Sequence, residues 1–228
     1  MGHRTSDAVV DLWLREPTDT VALVHSGTEL LDAVERERWR RFTHPDSARS
    51  YAAAHILARN EIGRLVARDP ASLRFDRTCE TCGAPHGRPR LLDRPALHLS
   101  LSRTPTLVAL AVSRSGPVGV DVERRDATSF EGFDEVALHP EERTPARAAP
   151  EDGVTAWVRK EAALKALGVG LRVDPARIRT PAFGRAAEVV PGLAPVTVLD
   201  VEGGLEPVDH AVAVAVVGEG APVVVRRH

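Results

Sequence analysis

The sequence predicts an α+β fold of two similar lobes forming a pseudo-dimer, each lobe a long helix packed on a small antiparallel sheet. Three observations carry that prediction. The chain partly matches itself in one register without a gap. DPASLRF at 69–75 is echoed by DPARIRT at 174–180, LVALAVS at 107–113 by VAVAVVG at 212–218, and VGVDV at 118–122 by VVVRR at 223–227. Each half also runs in the same order: a helix pattern, a DP turn, then Val- and Leu-rich strands divided by short turns such as SRSGP at 113–117 and GEGAP at 218–222. Finally, 228 residues with 43% hydrophobic content can bury a core. Coincidence in a chain rich in Ala, Val and Arg is the bland alternative for the repeat.

The elements follow in order. TELLDAVERERWRRF at 28–42 reads as a helix with Leu31, Val34, Trp39 and Phe42 toward the core and arginines crowding its end. SYAAAHILARNEIGRLVA at 50–67 reads as a second, with Tyr51, His55, Ala58, Ile62 and Leu65 on one stripe. Its counterpart is TAWVRKEAALKALGVGLR at 155–172. Segment 124–152 is an insertion in the second half, polar and rich in Pro and Ala, expected to be mobile around 143–153. The lobes divide at Gly116–Pro117, into 1–116 and 117–228, and the groove between them is a natural binding site.

Charge excludes some functions. The net charge of −2 and pI near 6.5 give no global field for nucleic acid. No stretch reaches the roughly 18 apolar residues of a membrane span. The opening MGHRTSDAVVDLWLRE does not read as a secretion signal, so a cytoplasmic protein with reduced Cys79 and Cys82 is expected. CETCGAPH at 79–86 offers two thiols and His86, but a zinc site normally takes four ligands and the chain has no second cysteine pair.

The chemistry gathers in two stretches. In PVGVDVER at 117–124, Val118, Val120 and Val122 point one way along a strand, and Gly119, Asp121 and Glu123 the other. Two carboxylates about 7 Å apart can hold one hard cation, with Gly119 leaving room for a bulky ligand. A solvated strand face is the bland alternative. Of 30 basic residues only Lys160 and Lys165 are lysine. Trp157, Glu161 and Lys165 lie four apart on one helical stripe, which also suits a surface Glu–Lys pair. A compact ammonium differs from a planar guanidinium at a phosphate. Carboxylates with lysines suggest a metal-bound phosphate ester.

GVDVE at 119–123 followed by W-x-R-K-E-A-x-x-K at 157–165 resembles the signature of the 4′-phosphopantetheinyl transferases of the surfactin-synthetase-activating (Sfp) type. ERERWRRF with DSARSYAAAHILAR (35–59), HGRPRL (86–91) and LHLSLSRTPTLVALAVS (97–113) extend the resemblance over roughly 35–172. It implies a two-lobed monomer that binds coenzyme A and Mg²⁺ in the cleft between lobes. The serine of an apo acyl- or peptidyl-carrier protein would attack the β-phosphate, releasing adenosine 3′,5′-bisphosphate. Secondary-metabolite biosynthesis is the implied setting.

By the same resemblance Asp121, Glu123 and Glu161 would hold the metal, and Lys160 and Lys165 the pyrophosphate. Glu142 in LHPEER would take the serine proton, with Glu141 its rival; acids opening a helix after HP are the bland reading. Arg38, Arg41 and Arg49 would meet the 3′-phosphate, with Arg88, Ser100 and Arg103 also contacting coenzyme A. The family's S-H-S reads Ser100-Leu101-Ser102 here, a departure that Arg103 could offset. It also motivates an alternative, a catalytically silent coenzyme A or nucleotide-binding module. An RNA-binding arginine patch is a third reading, disfavoured by the acidic cleft.

Overall fold

A computed structural model describes residues 7–17, 27–128, 131–143, 151–180, 183–201, 209–218 and 222–228. Its N-terminal elements are β1 (Ala8–Arg15), α1 (Ala33–Arg40), α2 (Pro45–Val66), the short pair β2 (Phe75–Asp76) and β3 (Arg90–Leu91), then β4 (His98–Arg103) and β5 (Val108–Ser113). There follow β6 (Val118–Arg124), α3 (Phe133–Ala137), α4 (Glu151–Leu167), β7 (Ala186–Ala187), β8 (Val196–Asp200), β9 (His210–Val217) and β10 (Val223–Arg227). No described helix is long and apolar enough to cross a membrane.

Two four-stranded sheets result, ordered β10-β1-β5-β4 and β6-β9-β8-β7. The second is antiparallel, as expected. The first is not wholly so, because β10 runs parallel to β1. Strand β6 leaves the sheet of β5 to pair with β9, and β10 leaves the sheet of β9 to pair with β1. VGVDV and VVVRR, matched in the sequence, thus each cross to the other sheet.

The alternation of β6 decides the layering. Val118, Val120 and Val122 are wholly buried with Val212 and Val214 against Val10, Leu12, Ala109 and Ala111, filling the space between the sheets. Each fully buried valine contributes about 2 kcal/mol. On the outer face of the first sheet lies α2, where Ala54, Leu57 and Ile62 meet Leu99, Val108 and Leu110. On the outer face of the second lies α4, where Val158, Ala162 and Ala166 meet Val198, Ala213 and Ala215.

The DPA match has a structural meaning. Asp69 and Asp174 each open a 3₁₀ turn with proline at its first position, and each carboxylate accepts from the backbone N–H two residues on, at 3.0 and 2.9 Å. Helix α2 starts at Pro45 and stops at Ala67, which adopts a left-handed conformation. Helix α4 ends at Gly168, where φ is 74° and the N–H of Val169 returns to the carbonyl of Leu164.

The single helix expected over 28–42 is interrupted. Asp32 caps α1 and accepts from the N–H of Glu35, whose side chain accepts from the N–H of Asp32. That capping box turns Glu35 inward and leaves Val34 exposed, reversing the expected burial of Val34. The mobility expected around 143–153 falls largely on 144–150, outside the described residues.

Buried Glu35 anchors an ionic cluster. Arg59 donates Nε to Glu35 and Nη2 to Asp32, both at 2.8 Å, Arg77 also bonds both acids, and His55 meets Glu35 at 3.0 Å. Burial alone would raise the Glu35 pKa, but His55, Arg77 and Arg59 outweigh it and hold the group at about 2. Burial dominates at His55 and holds its pKa down. Because the folded value for Glu35 lies below 4.5, its stabilisation is complete above pH 4.5 and is lost as the pH falls toward 2. The contribution is on the order of 3 kcal/mol. Acid denaturation followed by circular dichroism should therefore show a Glu35→Gln variant less stable than the parent at pH 7, with the difference shrinking below pH 4.5.

Candidate active site

Strand β6 and helix α4 bring the acidic and basic stretches of the sequence together. Asp121 is 3% exposed. Its Oδ1 accepts from Lys165 Nζ at 2.6 Å and from Ser102 Oγ at 2.8 Å. Lys165 Nζ also reaches Val120 O and Ser102 Oγ, each at 3.2 Å. The lysine thus turns across to β6 instead of forming a surface pair with Glu161 one turn back.

The remaining carboxylate atoms are poorly satisfied. Asp121 Oδ2 and Glu161 Oε1 are buried without a hydrogen-bond partner among the described residues. Burial, then the charge of Asp121, pushes Glu123 up to about 7 despite the nearby ammonium of Lys165. Glu161 is raised for the same reasons, burial first and Asp121 second. A carboxyl with a raised folded pKa costs stability when it ionises, so for Glu123 the penalty grows as pH rises from 4.5 through 7. A cation among these groups would relieve it. Two orphaned oxygens and mutually repelling acids fit a hard divalent ion, which takes oxygen ligands and keeps part of its water shell.

Ser100 and Ser102 explain how β4 meets β6. Both strands are sheet edges, and no ladder joins them. Ser100 Oγ accepts from the N–H of Val120 at 3.1 Å and Ser102 Oγ from that of Val122 at 3.3 Å. The hydroxyls satisfy backbone donors that an edge strand would otherwise bury unpaired. Ser100, expected at coenzyme A, therefore has a structural duty. Ser102 is a site residue the sequence reading missed; the alternation Ser-x-Ser in an edge strand was its available signal. Leu101 packs against the apolar cluster beneath α2.

Gly119 departs from its expected role. A Cβ there would lie 2.0 Å from Ala162 O and 2.6 Å from Ala166 N, so the space is filled by the backbone of α4 and not by a ligand.

Lys160 departs as well. It is fully buried, and Nζ donates to Glu142 Oε2 at 2.6 Å, Ala137 O at 2.9 Å and Pro175 O at 3.2 Å. All three ammonium hydrogens have protein acceptors, leaving none for a pyrophosphate. Glu142 is equally committed. It accepts from Lys160, from the N–H of His139 at 2.9 Å and from that of Thr180. Burial would raise its pKa, but these donors outweigh burial and lower it, which is the wrong direction for a base. Glu141 is exposed and pairs with Arg179. The first half holds a parallel arrangement: Arg59 on α2 binds Glu35 and the carbonyl of Pro70 in the first DP turn, at 3.2 Å. Lys160 does the same on α4 with Glu142 and Pro175.

The arginines expected at coenzyme A divide into two groups. Arg103 donates to Ser50 Oγ at 2.9 Å and lies over Phe42 and Tyr51, with Arg38 over the same Tyr51 ring at 6.0 Å. Burial, then the charge of Arg38, lowers the Arg103 pKa. Neither arginine has an ion-pair partner among the described residues, so they form a cationic patch. Arg41 and Arg49 instead pair with Glu37 at 3.3 Å and Asp46 at 2.9 Å. Arg88 lies apart from both groups, donating to Ala166 O at 3.0 Å near the end of α4.

Among known proteins, the model of the 4′-phosphopantetheinyl transferase superfamily matches residues 117–201, a span holding Asp121, Glu123, Glu161 and Lys165. Three curated Bacillus subtilis proteins are similar. A 4′-phosphopantetheinyl transferase is 26% identical over 151 residues, 62% of each chain. The 4′-phosphopantetheinyl transferase Sfp of strain 168 is 32% identical over 97 residues, 42% of this chain and 40% of the relative. The 4′-phosphopantetheinyl transferase ffp is 27% identical over 168 residues, 71% of each. The chain thus spans less than two thirds of the length of the first two. Residues 117–201 thus match the 4′-phosphopantetheinyl transferase superfamily, and the chain resembles its Sfp-type members.

Proposed function

We propose that this protein transfers the 4′-phosphopantetheine group of coenzyme A to a serine of an apo acyl- or peptidyl-carrier protein, releasing adenosine 3′,5′-bisphosphate. The observation that carries the proposal is the convergence of Asp121, Glu123 and Glu161 beside Lys165, in the sequence pattern of the superfamily. Asp121, Glu123 and Glu161 would hold Mg²⁺, which when bound supplies a positive centre for the developing charge of the diphosphate. Lys165, already at the mouth of that acidic cluster with its side chain 29% exposed, exchanges part of its bonding to Asp121 for a phosphate oxygen. The buried walls lower the local dielectric, which strengthens each of these contacts.

The two sheet-and-helix units are read as copies of one ancestral unit, with the last strand of the lobe 117–228, β10, completing the sheet of the lobe 1–116. On the N-terminal side the patch of Arg38 and Arg103 suits the 3′-phosphate, and the aromatic faces of Phe42 and Tyr51 keep its guanidinium groups in place. Arg41 and Arg49 contribute by charge from the rim. Glu142 is not carried forward as the base, since its carboxylate is held by three donors.

The test is incubation with coenzyme A, Mg²⁺ and several apo carrier proteins, read by intact mass. A gain equal to phosphopantetheine on the serine supports transfer; an unchanged carrier together with saturable coenzyme A binding favours the silent binding module. A second measurement separates the lysines. Lys160→Met should lower stability by about 3 kcal/mol, because it strands Glu142, and leave the KM for coenzyme A near its parent value. A raised KM with unchanged thermal stability would return Lys160 to the pyrophosphate.

A further inference from the structure

We propose that Cys79, Cys82 and His86 form a zinc site, completed by water, in the loop that carries Arg88 to helix α4. The three ligand atoms all lie within 4.8 Å of one another, the one such trio of His, Cys, Asp or Glu among the described residues. Cys82 Sγ and His86 Nε2 are 3.0 Å apart. Zinc–sulfur bonds of about 2.3 Å and zinc–nitrogen bonds of about 2.0 Å place tetrahedral ligands roughly 3.5 Å apart, so the Cys82–His86 pair needs only a small expansion.

The loop between β2 and β3 is built to hold that trio. The N–H of Gly83 bonds Cys79 O at 2.8 Å, the N–H of Cys79 bonds Ala84 O at 2.9 Å, and Gly87 N–H bonds Arg77 O at 2.6 Å. Gly83 supplies the left-handed turn after the second cysteine, with φ of 71°. Gly87 lets the chain close back on itself: a Cβ there would lie 2.6 Å from Thr78 O. That close return is what brings His86 over the cysteine pair. Both cysteines are free thiols. Two thiolates and an imidazole select zinc over magnesium, which prefers oxygen, so this site would not compete for the ion of the acidic cleft.

The location gives the site a consequence. Only Gly87 separates His86 from Arg88, which bonds Ala166 O near the end of α4. Thr81, between the cysteines, accepts from Arg172 Nη1 at 3.0 Å. A metal at Cys79, Cys82 and His86 would therefore fix a strap from the β2–β3 pair onto the end of the helix that carries Glu161 and Lys165.

The full chain should be purified with reductant and without chelator, and its metal content measured by plasma mass spectrometry. Close to one zinc per chain is expected, falling below about a tenth in a Cys79→Ser/Cys82→Ser double variant and unchanged in Asp121→Ala. Cobalt titrated into the zinc-free protein should give thiolate-to-metal charge-transfer absorption that the double variant lacks. Both cysteines lie on an open loop, so circular dichroism can verify that the double variant is folded. Zinc content no higher in the parent than in the folded double variant, or charge transfer that survives the substitution, overturns the proposal.

Discussion

Asp121→Ala should lower the rate of carrier modification by about a thousandfold, the scale typical of removing one preorganised charge from a transition-state site. The fold should persist, because Lys165 keeps Val120 O and Ser102 Oγ as acceptors. Removing Asp121 also removes a charge that raises both Glu123 and Glu161. The pKa of Glu123 should therefore fall from about 7, and the protein should become less, not more, sensitive to Mg²⁺. Carrier mass spectrometry reads the rate, and thermal unfolding with and without Mg²⁺ reads the ion. In the parent, Mg²⁺ should raise the melting temperature and the increment should grow from pH 6 to pH 8, as Glu123 loses its proton. Wild-type turnover in Asp121→Ala would remove the metal assignment.

Gly119→Ala should be the most damaging glycine-to-alanine substitution among the described residues. The added carbon would overlap the backbone of Ala162 and Ala166, and backbone cannot swing aside as a side chain can. Helix α4 must then move off β6. Overpacking of this kind costs about 3 kcal/mol or more, which for a chain of this size is a melting temperature lower by roughly 6–12 °C. The same shift separates Asp121 on the strand from Glu161 and Lys165 on the helix. Activity should thus fall further than the folded fraction does, when both are measured at a temperature where the variant is still folded. A variant as stable and as active as the parent would show that β6 and α4 do not approach so closely.

Much of the site was legible because it rests on short periods. Alternation along 118–123 set Asp121 and Glu123 on the face opposite the valines, and the spacing of Trp157, Glu161 and Lys165 set one helical stripe. Both arrangements are present. The two DPA turns were legible too, because DPA encodes a local turn in which an aspartate caps its own backbone. The interruption of the helix over 28–42 could have been read from Asp32 and Glu35, whose spacing is that of a capping box. Helical hydrophobic period favoured Val34 over Glu35, and the ionic cluster of Arg59 and Arg77 reversed it.

What the sequence determined by itself is therefore the set of faces: which residues share a strand side, a helix stripe or a turn. Tertiary structure alone decided what lies opposite each face. It set Lys165 against Asp121 but buried its neighbour Lys160 on Glu142, and it filled the space at Gly119 with a helix. It also returned His86 to two cysteines and turned Ser102 toward the acid. Local periodicity fixes a side chain's direction along its own element, whereas its partner comes from a remote segment whose approach is set by packing of the whole core.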